Sequence, residues 1–166
     1  MSLEEIQKLL SDELGEGVIL NTDTDASPPT LEVSAPKVAG VCRLLHEHEQ
    51  TYFDYLSCLT ALDNGPEANT MEVIYHLYSI PYNFQLGLKV VLEREKKGQV
   101  FPQLPTVSHI WRSADWHERE AFDLLGIVFT GHPDMRRILL PADWQGHPLR
   151  KDYQEQAYYH GVKVDY

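Results

Sequence analysis

Three β-rich stretches in the middle of the chain limit most strongly what it can fold into. They cover Tyr52 to Leu62, Met71 to Ile80 and Phe84 to Leu92. Turn-forming residues separate them, Asn64-Gly65-Pro66 first and Pro81-Tyr82-Asn83 second. Because the connections are short, neighbouring strands are predicted to be antiparallel. In the second stretch an apolar set alternates with a mixed set, which predicts a sheet with one buried face.

Two helices and a hairpin are predicted before these strands. Helical periodicity of leucines and isoleucine covers Ser2 to Leu14, and a second amphipathic stripe begins at Pro36 and ends in the polar residues before Gln50. Between the helices, Val18 to Leu20 and Leu31 to Val33 are short strand candidates that form a loose hairpin. Helices against one sheet face predict a two-layer α+β domain.

A third helical region follows a predicted loop from Gly98 to Pro105. Thr106 is a plausible N-cap, and the helical pattern extends to about Gly126. The fold class is therefore α+β, with a mostly antiparallel sheet packed by helices and an extended Pro/Gly-rich C-terminal arm. Residues 1–126 are predicted to form the body of a single domain, and residues 127–166 the docking arm.

Charge and composition exclude several classes of function. The formal charge of -11, from 14 basic and 25 acidic side chains, would repel a nucleic acid. No segment approaches the ~20 consecutive apolar residues that span a bilayer, and the first residues have no signal-peptide pattern, so the chain is expected to stay in the compartment where it is made. Cys42 and Cys58 lack Cys-x-x-Cys spacing and are predicted to be buried free thiols in a reducing cytoplasm.

The third helix breaks its own amphipathic pattern at Glu118. At about 100° per residue this glutamate lies among apolar residues, where a carboxylate needs a partner. The candidate partners are Arg136, Arg137 and Arg150. The alternative is a helix that is rotated or broken near Ser113, which would leave Glu118 exposed.

Trp116 breaks the pattern in the opposite sense. It lies on the polar side with Arg119, Glu120 and Asp123. A tryptophan in such a place is either covered by the tail of its own chain or contacts a partner protein. The zinc-protease pattern His-Glu-x-x-His does not apply here, because residue 121 is alanine.

Two Gly-His-Pro units follow the helix, Gly131-His132-Pro133 and Gly146-His147-Pro148. Each precedes a basic pair, Arg136-Arg137 in the first case and Arg150-Lys151 in the second. Glycine permits an unusual turn and proline restricts the preceding histidine, so such segments lose little entropy on docking. A basic segment on an acidic body suits either docking on its own domain or insertion between partner proteins.

The two histidines also raise the possibility of a metal site. His132 and His147, with Asp134 or Asp143, are residue types that bind zinc or iron. No closely spaced ligand pair supports this possibility. A freestanding metal-dependent enzyme is nevertheless an alternative of another class, and elemental analysis of the purified chain tests it.

The residues from 116 to 153 resemble the signature of one family. The run Glu118-Arg119-Glu120-Ala121-Phe122-Asp123-Leu124-Leu125-Gly126-Ile127 is followed by Phe129, Gly131-His132-Pro133-Asp134 and Arg136-Arg137-Ile138-Leu139. Asp143-Trp144, then Gly146-His147-Pro148-Leu149-Arg150-Lys151-Asp152-Tyr153, complete it. This pattern is similar to the C-subunit family of proton-pumping NADH:quinone oxidoreductases, the respiratory complex I. Gln154, where many relatives have proline, departs from the pattern and affects only the exit of the tail.

The resemblance implies a structural subunit in the peripheral arm of that complex, on the cytoplasmic side of the bacterial inner membrane. It implies contact with the quinone-site subunit (D) and proximity to the B and I subunits, with no catalytic residues in this chain. Iron–sulfur clusters, FMN and quinone would belong to the partner subunits, and membrane contact would come only through the complex. The equivalent subunit of a membrane-bound hydrogenase or of another donor-linked quinone reductase is the nearest alternative, ahead of a plain adaptor for acidic proteins.

From this resemblance and the patterns above, we expect a partner interface on the third helix and the arm. Arg136, Arg137, Arg150 and Lys151 are expected to bind partner carboxylates, while Glu118 and Asp123 hold the base of the arm. The predicted interface residues are Trp116, Glu118, Arg119, Glu120, Asp123, His132, Asp134, Arg136, Arg137, His147, Arg150, Lys151 and Asp152.

Overall fold

The computed structural model describes residues 2–95 and 100–164 as an α+β fold. The first two residues of the predicted loop Gly98 to Pro105, and the last two of the predicted arm, lie outside these ranges. The helices are α1 (Leu3–Leu14), α2 (Val38–Glu47) and α3 (Ser113–Leu125), with a 3₁₀ turn at Ala35–Lys37. The strands are β1 (Ile19–Asp23), β2 (Thr30–Val33), β3 (Tyr55–Gly65), β4 (Thr70–Ser79), β5 (Phe84–Glu93), β6 (Gln103–Pro105), β7 (Val128–Thr130), β8 (Tyr158–Tyr159) and β9 (Val162–Lys163).

Five strands of the described residues form one sheet in the order β1-β2-β5-β4-β3. The predicted antiparallel run β3-β4-β5 is confirmed, with Tyr75 opposite both Leu59 and Leu88. The predicted hairpin of β1 and β2 is confirmed as an antiparallel pair. This hairpin joins the sheet through a parallel pairing of β2 with β5, where Leu31 lies opposite Leu88. The sheet is therefore mixed, and mostly antiparallel as predicted.

The first two helices and one face of the sheet share the core. Ile6 and Leu10 of α1 and Val41 of α2 are fully buried, together with Val73 and Tyr75 of β4. The alternation of buried and partly exposed residues is continuous along β4, as its sequence pattern predicts. These contacts confirm the two-layer arrangement of helices on a sheet.

The third helix begins seven residues later than the sequence pattern indicates. Residues 106–112 form a turn, closed by hydrogen bonds from the amides of Ile110 and Trp111 to the carbonyl of Val107. The prediction that Thr106 is the N-cap is wrong, because α3 begins only at Ser113 and Arg112 precedes it. The hydroxyl of Thr106 instead accepts from the amide of Ser108 and donates to the side chain of Glu118. The indole of Trp111 donates to the carbonyl of Phe53 just before β3, which fixes this turn against the sheet.

The extended arm predicted for residues 127–166 is not confirmed. β7 pairs in parallel with β6 and belongs to the body. Residues 131–153 fold back on α3 and on the ends of β3 and β5, through contacts described below. The small hairpin of β8 and β9 is held by Tyr159 and His160, which both contact Asp143. No helix in the described ranges has the length and hydrophobicity needed to cross a membrane.

Candidate partner interface around the third helix

Glu118 lies on α3 with its side chain fully buried. Its Oε1 accepts a hydrogen bond from the amide of Val107 at 2.7 Å, and its Oε2 accepts one from the hydroxyl of Thr106 at 2.5 Å. The prediction that this carboxylate points towards the core is confirmed. The prediction of an arginine partner is wrong, because the turn that precedes the helix supplies both donors.

The environment of Glu118 favours its neutral form. Burial raises its pKa to about 7; the hydrogen bonds from Thr106 and Val107 oppose this shift, and the nearby charge of Asp115 adds to it. His132, from the first Gly-His-Pro unit, is also buried and places its Nε2 3.9 Å from Oε2 of Glu118. The predicted interface residues Glu118 and His132 therefore meet in one polar cluster beneath the surface.

Asp123 holds the segment that follows the first Gly-His-Pro unit. Its Oδ2 accepts hydrogen bonds from the consecutive amides of Ile138, Leu139 and Leu140 at 2.7 to 3.0 Å, and its Oδ1 accepts one from Arg137 at 2.7 Å. Burial alone would raise the pKa of Asp123, but these hydrogen bonds together bring it below its ordinary value. The geometry thus agrees with the expectation that Asp123 holds the base of this segment.

Arg137 bridges α3 and the segment before the second Gly-His-Pro unit. Besides the carboxylate of Asp123, its guanidinium group donates to the carbonyls of Asp123, Trp144 and Gly146. Its side chain is only 15% exposed. The donors that were expected to meet a partner carboxylate are therefore used within the chain.

Beside this anchor, Trp116 is exposed on α3 and Arg119 is largely buried beneath it. The guanidinium of Arg119 donates to the carbonyls of Arg136 and Arg137 and lies 5.3 Å from the centroid of the Trp116 ring. Trp116 is 61% exposed, so the interpretation that the tail covers it is wrong. Arg136 is exposed and pairs with Asp134 at 2.9 Å. Glu120 is also exposed.

His147 and Arg150 of the second unit pack against the end of α3. The buried ring of His147 donates from Nδ1 to the carbonyl of Asp123 at 2.9 Å, and burial is the main cause of its lowered pKa. Arg150 donates to the carbonyl of Leu125 and forms an ion pair with Glu95. The second unit therefore also docks on its own domain.

Lys151 and Asp152 lie at the ends of the sheet strands. The amide of Lys151 donates to Asp63 at the end of β3, and the carboxylate of Asp152 pairs with Arg94 at 2.6 Å, just after β5. Arg94 also pairs with Asp63 at 3.1 Å. The residues that follow the second unit are thus fixed to the sheet.

Sequence reasoning missed four of the residues that hold this region. They are Asp63, Arg94, Glu95 and Thr106. Asp63, Arg94 and Glu95 are charged residues at strand ends, but no local pattern indicates partners more than 50 residues away. Thr106 is a residue type that often caps a helix, but here it lies in the turn before α3 and its hydroxyl binds Glu118.

The two histidines proposed as metal ligands lie in separate contacts. His132 faces Asp115 and Glu118, whereas His147 packs between the rings of Phe101 and Phe122. No group of three His, Cys, Asp or Glu side chains within residues 2–95 and 100–164 is placed to hold a metal ion. Both cysteines are free, Cys42 buried as predicted and Cys58 only half-buried.

The anchored segments leave an outward-facing set of side chains that we call the interface set. Its apolar members are Trp116, Leu139 and Leu149, each about 60% exposed, and its charged members are the exposed residues Arg136 and Glu120. The predicted interface residues thus divide into two groups. Most buried members fix the backbone, as does Asp152, whereas the side chains of Trp116, Glu120 and Arg136 are exposed.

Comparison with known proteins places this region in one family. Residues 31–159 match the family described as the respiratory-chain NADH dehydrogenase, 30 Kd subunit. A protein of Chloroherpeton thalassium, named as the C subunit of NADH-quinone oxidoreductase, is 46% identical over 76% of this chain, which spans only half of that relative's length. Proteins of the same name are 40% identical in Moorella thermoacetica, over 93% of this chain and 95% of the relative, and 37% identical in Chlorobium phaeobacteroides, over 87% and 84%.

A solved structure has the same fold. It is a chain of the membrane-bound sulfane sulfur reductase, an archaeal respiratory membrane complex, with a TM-score of 0.73 and 23% sequence identity. The alignment covers 93% of this chain and 86% of that chain. Since the family match includes the whole of α3 and both Gly-His-Pro units, the chain belongs to the 30 kDa subunit family of respiratory-chain NADH dehydrogenase, whose bacterial relatives are named as the C subunit of NADH-quinone oxidoreductase.

Proposed function

We propose that this chain is a non-redox structural subunit in the peripheral arm of an NADH:quinone oxidoreductase. In this role it positions the subunits that form the quinone site and so supports electron transfer from NADH to quinone with proton translocation. Its main partner is the quinone-site subunit (D), with the B and I subunits nearby, on the cytoplasmic side of the membrane. Iron–sulfur clusters, FMN and quinone are held by those partners, and this chain contributes no catalytic residue. The family membership and the names of its relatives support the proposal.

The observation that carries the proposal is the contrast between a fixed backbone and exposed side chains around α3. Asp123 and Arg137 hold the segment between the two Gly-His-Pro units, so little entropy is lost there on binding. Exposed tryptophan and arginine side chains are the types that most often dominate the energy of protein interfaces. Trp116 and Arg136 therefore form the centre of the proposed contact with the quinone-site subunit.

The structure narrows which basic residues are available to partner carboxylates. Arg137 and Arg150 are paired with Asp123 and Glu95 of the same chain. Arg136 and Lys151 are exposed, and the pair of Arg136 with Asp134 lies at the surface, where water can replace it. We therefore assign the contact with partner carboxylates to Arg136 and Lys151, and a positioning role within the chain to the other two arginines.

The test combines Trp116→Ala with Arg136→Glu in the intact complex. Loss of a central tryptophan and reversal of an interface charge are expected to weaken binding by more than 2 kcal/mol, at least about thirtyfold. The measurements are the rate of quinone reduction and the amount of the quinone-site subunit that co-purifies from solubilised membranes. Both are expected to fall, while the circular dichroism spectrum of the isolated variant stays unchanged.

The matched control is Lys8→Glu, a charge reversal at an exposed position of α1 on a different element. It is expected to leave both co-purification and quinone reduction at the level of the unmodified chain. Full retention of the quinone-site subunit in the presence of Trp116→Ala/Arg136→Glu would show that this face is not the interface.

A second candidate is the equivalent subunit of a respiratory complex with another electron donor. The shared fold with a chain of the sulfane sulfur reductase complex favours it, although that likeness concerns the fold alone. Mass spectrometry of the proteins that co-purify from membranes separates the two candidates. NADH-binding subunits among them support the first, and their replacement by subunits of another reductase or hydrogenase supports the second.

A further inference from the structure

A chain of hydrogen bonds leads from the buried carboxyl group of Glu118 towards the surface. Thr106 Oγ1 lies 2.5 Å from Oε2 of Glu118 and 2.8 Å from Oγ of Ser108. Glu118 is fully buried and Thr106 nearly so, whereas Ser108 is half-buried. The three side chains thus connect an interior acid to the edge of the protein through two hydroxyl groups.

This chain accommodates both protonation states of Glu118. When Glu118 is ionised, the Thr106 hydroxyl donates to its Oε2. When Glu118 is protonated, its own O–H donates to Thr106 Oγ1, and the Thr106 hydroxyl turns to donate to Ser108, since a hydroxyl group both donates and accepts. The amide of Val107 donates to Oε1 in either state. No heavy atom needs to move when the proton enters or leaves.

Within residues 2–95 and 100–164, no lysine or arginine pairs with the carboxylate of Glu118, and the histidine nearest to it is His132 at 3.9 Å. On α3, Asp115 is a second acid, and the guanidinium of Arg119 donates to carbonyls at 136 and 137. Cys42 of α2 and Tyr75 of β4 are fully buried, and burial raises the pKa of both, so they stay uncharged. A negative charge on Glu118 is therefore stabilised mainly by two hydrogen bonds at a buried position.

The hydrogen bonds of the His132 ring go to backbone groups rather than to Glu118. Its Nδ1 accepts a hydrogen bond from the amide of Asp134 at 3.0 Å, and an amide can only donate. The proton of the ring is therefore on Nε2, which lies 3.3 Å from the carbonyl of Asp115. Nε2 of His132 is thus directed at that carbonyl, and at 3.9 Å from Oε2 of Glu118 it is beyond hydrogen-bond distance of the carboxylate.

We propose that Glu118, Thr106 and Ser108 form a proton-exchange site, in which the buried carboxyl group binds and releases a proton through the two hydroxyl groups. On release, the carboxyl proton passes to Thr106 Oγ1 as the Thr106 proton passes to Ser108, and Ser108 loses its own proton to water. One proton reaches the solvent, and both hydroxyl groups are regenerated. Because the pKa of Glu118 is raised to about 7, both states are populated near neutral pH.

The charge state of Glu118 also changes the stability of the folded chain. The pKa of this acid is higher in the folded chain, about 7, than its ordinary value of 4.5. Its contribution to stability is therefore fully present below about pH 4.5 and is lost as the pH rises through 7. Within that window the folded-to-unfolded ratio falls by up to about tenfold per pH unit.

Infrared titration of the full chain tests the binding of the proton. We expect a protonated carboxyl band that fades between about pH 6 and 8 and is missing in Glu118→Gln. Thr106→Val removes a donor to the carboxylate and should move the midpoint to higher pH, whereas Asp115→Asn removes a like charge and should move it to lower pH. Glu120→Gln, at an exposed position of the same helix, is the control and should leave the midpoint unchanged.

The rate of proton release after a pH jump tests the path. Thr106→Val breaks the chain of hydroxyl groups and should slow release severalfold, and Thr106→Ser should restore it. Ser108→Ala should slow release with little change in the midpoint. The proposal is overturned if Glu118→Gln retains the titrating band, or if Thr106→Val releases the proton as fast as the unmodified chain.

Discussion

Gly126 ends α3 at a point where no side chain fits. Its φ is +75°, and a Cβ there would lie 2.6 Å from a guanidinium nitrogen of Arg150 and 2.8 Å from the ring of His147. Glycine is required both for the left-handed backbone and for the close approach of the second Gly-His-Pro unit. A single residue therefore couples the end of the helix to the docking of the tail.

Gly126→Ala is predicted to destabilise the chain by about 3 kcal/mol, since strain in the backbone and overpacking against His147 and Arg150 each cost about 1 to 3 kcal/mol. Urea unfolding measures the loss. The control is Gly131→Ala, at a similar φ of +83° but with its nearest contact at an ordinary 3.5 Å from Thr106. In that variant the free energy of unfolding should fall only by the cost of backbone strain. Equal losses of unfolding free energy in the two variants would therefore contradict the packing argument.

Glu118 marks the limit of what the sequence pattern reveals about a residue. Helical periodicity placed it on the apolar side of α3, and it is fully buried. Its partners, Thr106 and the amide of Val107, come from a turn that the same periodicity assigns to the helix itself. The helical repeat of about 100° per residue predicts which way the side chain of Glu118 points. The donor that lies nearest to its carboxylate depends on where the helix begins.

At the scale of elements, α3 acts as the support on which the segment at 137–140 is fixed. Asp123 accepts three consecutive amides of that segment and also the guanidinium of Arg137. A carboxylate that satisfies four donors at once replaces the pairing that a strand or helix would otherwise provide. This irregular segment is thus held by one side chain of a regular element.

Asp123→Asn is predicted to destabilise the chain by about 3 kcal/mol, because it removes the charge that pairs with the largely buried Arg137. Hydrogen exchange at the amides of residues 138–140 is expected to accelerate, and urea unfolding should shift by the same free energy. Glu120→Gln, which neutralises an exposed carboxylate on the same helix, should change stability by less than about 0.5 kcal/mol. Unchanged exchange at 138–140 in Asp123→Asn would contradict the anchoring role.

The parallel pairing of β2 with β5 is the element-level feature that the sequence did not indicate. Short turns identify antiparallel neighbours, but the β1–β2 hairpin is separated from β5 by α2, β3 and β4. At the contact, the Cα of Gly87 lies opposite Thr30, and a Cβ there would lie 2.3 Å from the Thr30 hydroxyl. An isolated glycine within a strand is the local signal of such a close approach.

At the scale of the whole molecule, the second Gly-His-Pro unit connects α3 to the far ends of the sheet. Arg94, after β5, pairs with Asp63 of β3 and with Asp152 of the tail. This network lies next to the ion pair of Arg150 with Glu95. This part of the tail is therefore fixed to the body of its own domain.

Arg94→Met is predicted to release the tail without unfolding the body. The side chain keeps most of its volume but loses both carboxylate partners, so exchange at the amides of Lys151 and Tyr153 should accelerate, and the lowered pKa of Asp152 should return towards its ordinary value. Lys89→Met, which removes a partly exposed ion pair with Glu32 on the sheet, is the control. It should leave hydrogen exchange in the tail unchanged and lower the free energy of unfolding by less than about 1 kcal/mol.

The sequence by itself determined the first two helices, the five strands of the main sheet, most of α3 and the family. Period-two and period-3.6 patterns located the strands, the helices and the inward carboxylate, because burial of an apolar face is encoded locally in residue spacing. The tertiary structure decided which charges meet. Arg137, Arg150 and Asp152 have partners 14, 55 and 58 residues away, and such pairings depend on how the sheet and α3 are arranged in space. The basic pairs that were expected to bind partner carboxylates are therefore divided between internal anchors and exposed side chains.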